Sequence, residues 1–517
     1  MCAFIKNNFK KISLILTAIL LFTVPIQAKD KKDSLKINIK SAENDSIGNK
    51  VLAQIGDKKI TVREFLTSYE FGPAFPKRIK NSKKHFLNYI INEKLIALKG
   101  YSEGINDSSQ VKEMIGAIKG DLATEEMFKD DILKNIKVKK SEVDKAVSEK
   151  GITYKIRWIY SRNENQLSYY ESGLIKGIPF DSLFKTQLND SVFADQRSME
   201  IDKFKLKTKN SEMAAIVDSM KVGEISNPVK GSDGWYIFKL DDVWKNMITT
   251  QSELVEDKTD AEEVIKKEKM DRISDIYVDD LLKSETPVIK GGAFAVVRSY
   301  LGGYELPREK YKNWKLDERL VEQIKKLNIS DNNYGKLTLV TLKDTVLNID
   351  DFLYWYRLRS QFIKLNKDDF TKFSASIEGY VWQMVRDNLL MKKAYARGYQ
   401  SKEKIKQQLQ WWEDKIVYAV MRDKIINSIN LSSDENKAKS IPKPDEKKDM
   451  EVTKKILHEV LALKQKYKIE INEDLLNKIY VEDSNDPRTI DIYIVKKGGI
   501  FPHPAYPSID MLWQNWQ

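Results

Sequence analysis

Apolar positions along this chain follow two periods. Tyr154-Lys-Ile-Arg-Trp-Ile-Tyr160 alternates as a half-buried strand does, and Trp235, Ile237 and Leu240 punctuate a second such run. Elsewhere apolar residues recur every three or four positions. Phe86, Ile90, Leu95 and Leu98 predict one helix, and Ile265, Ile273, Tyr277 and Leu281 predict another. Further helices are expected from about Ser108 to Asn135, Lys140 to Lys150, Glu318 to Leu327 and Val452 to Tyr467, while Pro287 to Gly303 reads as irregular. Thr61 precedes Glu64 by three residues, a capping-box spacing that starts a helix carrying Phe65. Gly100 and Gly104 are expected to weaken or end the helix that follows His85. The fold class is α+β, mainly helical.

One pattern occurs twice. Asp57-Lys-Lys-Ile-Thr-Val-Arg-Glu-Phe65 parallels Asp344-Thr-Val-Leu-Asn-Ile-Asp-Asp-Phe352 (57 to 344, a spacing of 287). Asn92 to Gly104 parallels Arg386 to Gly398 (92 to 386, a spacing of 294), with Leu95 matching Leu389 and Tyr101 matching Tyr395. Common origin explains a paired strand, turn and helix start; two amphipathic helices that coincide in pattern remain the other reading.

Between the two copies, helices are expected around Leu167 to Lys176, from Gly177-Ile-Pro-Phe180-Asp-Ser-Leu183, and from about Glu212 to Met220. Val222-Gly-Glu-Ile-Ser-Asn-Pro228-Val leads through Gly234 into the closing strand, with Gly223 and Gly234 where the chain reverses. In order and spacing this segment resembles the parvulin-type prolyl isomerase domain. With its helical flanks, and the Val51-Leu-Ala-Gln-Ile-Gly-Asp start, the chain resembles the SurA and PrsA group of exported chaperones. That resemblance implies a SurA-N-like helical body, in two copies if the repeat is a duplication, with an inserted parvulin-like β-α-α-α-β domain. The expected division is a signal peptide (1–28), a disordered leader (29–49), a SurA-N-like helical domain (50–150) and the parvulin-like domain (151–245). A helical linker region (246–335), a second SurA-N-like repeat (336–430), a flexible linker (431–450) and a C-terminal helix–strand region (451–517) follow.

Composition narrows the chemistry. The net charge of +12 is spread along 517 residues without an Arg-rich arm, which reads as a solvated Lys/Glu surface and excludes a nucleic-acid groove as the leading reading. Lys6, Lys10 and Lys11, the apolar run Ile12 to Val24, and Pro25-Ile-Gln-Ala28 read as a secretion signal, whose removal leaves no stable membrane insertion. Cys2 is the sole cysteine and precedes the apolar run, so the exported chain is expected to have no thiol and no disulfide. His85, His458 and His503 lack metal-ligand spacing, and no cofactor or metal is expected.

Prolyl isomerisation twists an amide over a barrier of roughly 18–20 kcal/mol and needs a dry pocket rather than proton transfer. In the parvulin family two histidines, a Cys or Asp, and an apolar Met/Phe pair line that pocket. Matched by position, Trp158 and Tyr236 stand at the histidines, Lys209 and Met213 at the apolar pair, and Asp190 at the Cys/Asp position. Asp190 is thus the one candidate catalytic group, and Trp158, Met213, Tyr236 and Lys209 the candidate peptide pocket. Tyr354, Trp355, Tyr356, Trp382, Trp411 and Trp412 are candidate client-binding aromatics in the second repeat. The expected function is a periplasmic folding factor that binds unfolded or partly folded exported proteins, with weak or absent isomerisation. The alternatives are an active prolyl isomerase and a structural subunit of an envelope assembly.

Overall fold

The computed structural model describes residues 37–189, 191–247, 250–328, 333–360, 362–429, 446–481, 494–495, 499–500, 502 and 506–516. The expected signal peptide (1–28) and Asp190 lie outside the described residues. The fold is α+β and mainly helical.

β1 (Val51–Ile55) and β2 (Lys58–Thr61) form an antiparallel hairpin. The Thr61 hydroxyl accepts the Glu64 amide at 3.1 Å and starts α1 (Val62–Glu70), as the spacing predicts. α2 (Ser82–Ser102) runs through Gly100 unbroken, because that glycine admits a close neighbour: a Cβ there would lie 2.6 Å from Val417 Cγ1. Gly104, at φ +71°, ends the helix instead and leads into α3 (Ser109–Asp131).

A separate compact unit covers Ile132–Ser274, wider than the expected 151–245. α4 (Lys140–Lys150) leads into β3 (Ile152–Ser161), α5 (Glu164–Ile175) and α6 (Phe180–Thr186). Next come β4 (Ser198–Asp202), α7 (Lys203–Lys209), α8 (Ser211–Ser219), β5 (Val229–Lys230) and β6 (Trp235–Lys245). The antiparallel sheet has the order β4-β3-β6-β5, two strands more than the expected outline. Strand alternation sends Tyr154, Ile156, Phe238 and Leu240 into a core with Leu206 and Met213. Ile159 and Ile237 enter another with Leu167, Phe180 and Leu183. The unit extends past the sheet because α4 and the start of α9 (Gln251–Glu285) share a small core of Val143, Ala146, Phe204, Ala261 and Ile265.

The other compact unit, the outer unit, comprises the chain up to Asp131 and from Asp275 on. After α9 it continues with β7 (Val288–Ile289) and α10 (Gly291–Glu305), so most of the stretch read as irregular is helical. Ala293, Val296, Val297 and Leu301 bury one face of α10, while Gly302 lets Leu316 approach closely; glycine content misled the reading. β8 (Thr338–Thr341), β9 (Val346–Asn348), α11 (Ile349–Arg359), α12 (Phe370–Ala396) and α13 (Glu403–Asn427) follow. α14 (Glu446–Lys466) begins inside the expected flexible linker, and β10 (Ile469–Ile471) joins β1 to give the sheet β10-β1-β2. Residues 37–49 of the expected disordered leader are structured too. Ile37 bridges to Ile479, Asp45–Gly48 is a helical turn, and the Arg63 Nε donates to the Ala42 carbonyl at 3.0 Å. Local polarity suggested disorder, and partners distant in sequence overrule it.

Candidate functional site

In the central unit β3 and β6 run side by side, with Trp158 opposite Phe238 and Tyr160 opposite Tyr236. Gln187 fixes this end of β3 from beyond α6. Its Nε2 donates to the Trp158 carbonyl at 3.0 Å, and its Oε1 accepts the Tyr160 amide at 3.1 Å. The Tyr160 and Tyr236 rings lie 5.3 Å apart, Tyr236 stacks on Phe238 at 5.9 Å, and the Arg197 guanidinium sits 4.9 Å from the Tyr160 ring centre. Both phenols converge on one residue: Tyr236 donates to Asp233 Oδ1 at 2.8 Å and Tyr160 to the Asp233 carbonyl at 2.6 Å. Burial, then the Asp233 hydrogen bond, pushes the Tyr236 phenol up to about 12. It stays protonated near neutral pH, with its proton committed to Asp233. Gly234 is required here, since a Cβ would lie 2.4 Å from the Ser161 carbonyl.

Trp158, Met213 and Tyr236 belong to one apolar cluster, with Met199, Met220 and Val229 at its partly buried edge. Lys209 is solvent-exposed and does not complete an apolar pair. With Met213, Met199, Ile201 and Leu206 it lines a cavity of about 640 Å³ whose lining residues include neither Trp158 nor Tyr236. The single expected pocket is therefore two features, an aromatic edge and a lysine-rimmed cavity, that share Met213 and Met199. Two networks missed by sequence reasoning brace the sheet. Arg157 bridges Asp241 and Asp181, and Asp218 accepts from Tyr154 and from Lys203. The alternating strand pattern signalled where Arg157 and Tyr154 sit, but not their partners.

Two of the candidate client-binding aromatics, Trp355 and Trp411, require correction. Trp355 is buried and donates through Nε1 to Asp387 at 2.8 Å, and Trp411 is buried as well. Tyr354 donates to the Glu113 carbonyl at 2.7 Å and Tyr356 to Glu305 at 2.9 Å, while Trp382 and Trp412 are half-buried. Packing of α11 against α12 and β9 buries Trp355 and half-covers the tyrosines beside it. Among the described residues no cluster of His, Cys, Asp and Glu could hold a metal, and no helix is long and apolar enough to cross a membrane.

Residues 162–250 match the family model of the PPIC-type PPIASE domain. Foldase protein PrsA 2 of Bacillus cereus is 29% identical over 127 residues, which are 23% of this chain and 44% of that protein's length. A solved structure from Campylobacter jejuni, described among SurA-like chaperones, shares 20% identity with a TM-score of 0.21, covering 46% of this chain and 98% of that one. Bacillus anthracis peptidylprolyl isomerase PrsA shares 15% identity with a TM-score of 0.18, covering 48% and 99%. Residues 162–250 of the central unit are thus similar to the PPIC-type domain, and 127 residues of the chain are similar to a PrsA foldase of which they cover less than half.

Proposed function

We propose that this chain is an exported, periplasmic folding factor that holds unfolded envelope proteins, and that its parvulin-type unit adds binding surface with little or no isomerisation. One observation carries the reading. At the two positions that the resemblance places at the family's histidines stand Trp158, an indole packed at the partly buried edge of the apolar cluster, and Tyr236, whose hydroxyl is already bonded to Asp233. An aromatic edge of this kind still suits proline-containing or aromatic peptide. Exposed apolar side chains on the same unit, Ile175 at 86%, Met247 at 81% and Phe193 at 58%, supply further weak contacts for an extended chain.

A protease-coupled prolyl peptide assay on the exported form is expected to give the uncatalysed rate, while aggregation of unfolded porin-like substrates is suppressed. A clear rate above background would make the chain an isomerase. Failure to suppress aggregation or to bind such peptides would end the chaperone reading, and one stoichiometric partner recovered by crosslinking in cells would favour a structural subunit.

A further inference from the structure

The outer unit repeats itself element by element. β1, β2, α1, α2, a 3-10 turn (Ile105–Asp107) and α3 are followed later by β8, β9, α11, α12, a 3-10 turn (Tyr399–Ser401) and α13. The break in hairpin register falls between Val51 and Ala53 in one copy and between Thr338 and Val340 in the other. α2 ends before Gly104 at φ +71°, and α12 ends before Gly398 at φ +76°. Two helices of coincident pattern do not reproduce a register break before the first helix and a left-handed glycine after the second, in the same order.

The copies also exchange parts reciprocally. α13 packs on α2, and α3 packs on α12. Further along the chain, β7 pairs with β8 of the second copy, while β10 pairs with β1 of the first. Each half thus completes the other's sheet and helical layer, as exchanged protomers do in a two-fold pair.

At two matched positions near the helix ends of this junction the charges are inverted. Glu103 of the first copy corresponds to Arg397 of the second, and Asp130 to Lys424 (103 to 397 and 130 to 424, each a spacing of 294). Glu103 pairs with Lys424 at 2.7 Å; on the other side Arg397 bonds Asp131 at 2.9 Å and Lys402 bonds Asp130 at 2.9 Å. Pairing first copy with first copy would set Glu103 against Asp130 and Asp131. Pairing second with second would set Arg397 and Lys402 against Lys424.

We propose that the outer unit is a single-chain form of a reciprocally exchanged pair, and that this charge inversion makes unlike halves join while like halves repel. Carriage of both halves on one chain then favours closure within the molecule over assembly between molecules. The surface formed by α2 and α3 fits one class of partner, a second copy of the module with the opposite charges at the two helix ends.

The full-length chain tests this through charge reversal. Asp130→Lys, Asp131→Lys and Lys424→Glu together make unlike halves repel and like halves attract. In low salt, where charges act furthest, this variant is expected to self-associate at least about tenfold more tightly than the wild type in sedimentation equilibrium, and to melt earlier. Adding Glu103→Lys, Arg397→Glu and Lys402→Glu restores complementarity between unlike halves. That six-fold variant is expected to recover the wild-type mass and melting temperature, even if the triple variant simply unfolds. A triple variant with wild-type mass and stability, or a six-fold variant no better than the triple, overturns the proposal.

Discussion

Lys94 is the most consequential single side chain outside the central unit. It is buried, with its ammonium 2.8 Å from Glu64 and 2.7 Å from Asp414, and Tyr101 donates to the same Asp414 at 2.8 Å. Burial lowers the Lys94 ammonium, but the two carboxylates outweigh it and hold the group charged. Removing Asp414 breaks one buried pair and leaves Lys94 with Glu64 alone, so Asp414→Ala is expected to cost about 3–5 kcal/mol in urea unfolding.

Acid reads the same network. Burial raises the Asp414 and Asp510 carboxyls, yet Lys94 and Lys58 around one, and Lys415 and Arg422 around the other, bring both below the ordinary aspartate value of about 3.9. Their ionised forms therefore stabilise the fold in full above about pH 4, and that contribution is lost as pH falls through the depressed folded values. Glu64 and Glu93 are raised by burial and act in the opposite sense, weakening the fold as pH rises through their folded values. The melting temperature of Asp414→Asn should fall less than the wild type's between about pH 4 and pH 2. An equal or steeper fall would show that Asp414 is not what the acid limb titrates. Sequence alone disclosed none of this, since Lys94 and Asp414 are far apart in the chain and each looks like an ordinary helix-surface charge.

Among elements, the two glycines near the end of α2 divide their roles. A Cβ on Gly100 would collide with Val417 across the helix pair, so Gly100→Ala is expected to cost about 1–3 kcal/mol through overpacking. Gly104 has open space around it but a positive φ, and Gly104→Ala should cost about 1–2 kcal/mol from backbone strain alone. Stability measurements on both variants, with a helix-end marker by hydrogen exchange, separate the two causes: only Gly104→Ala should fray the end of α2. Element positions were largely legible. The alternating run at β3, the Thr61 cap and the helix over Lys140–Lys150 follow from neighbours within a few residues. α10 was not, because its glycines count against a helix locally while its buried face repays them through packing.

For the whole molecule, one parvulin-type unit is inserted in the first half, between α3 and β7, and no second one stands among the described residues of the other half. Substituting alanine for Trp158 and Tyr236 should weaken peptide binding by the isolated pocket edge while leaving the melting of the outer unit unchanged; calorimetry that resolves two transitions would check it. The sequence by itself determined the mainly helical class, the alternating strands of the central unit and the paired patterns that suggest a repeat. All three are properties of residue type at short spacing. Only the tertiary structure decided that Trp355 and Trp411 are buried, that Lys209 faces solvent, and that β10 crosses to β1 at Ala53 and Ile471. Burial and pairing are set by what arrives from hundreds of positions away, and a local pattern carries no record of which face its distant partner will cover.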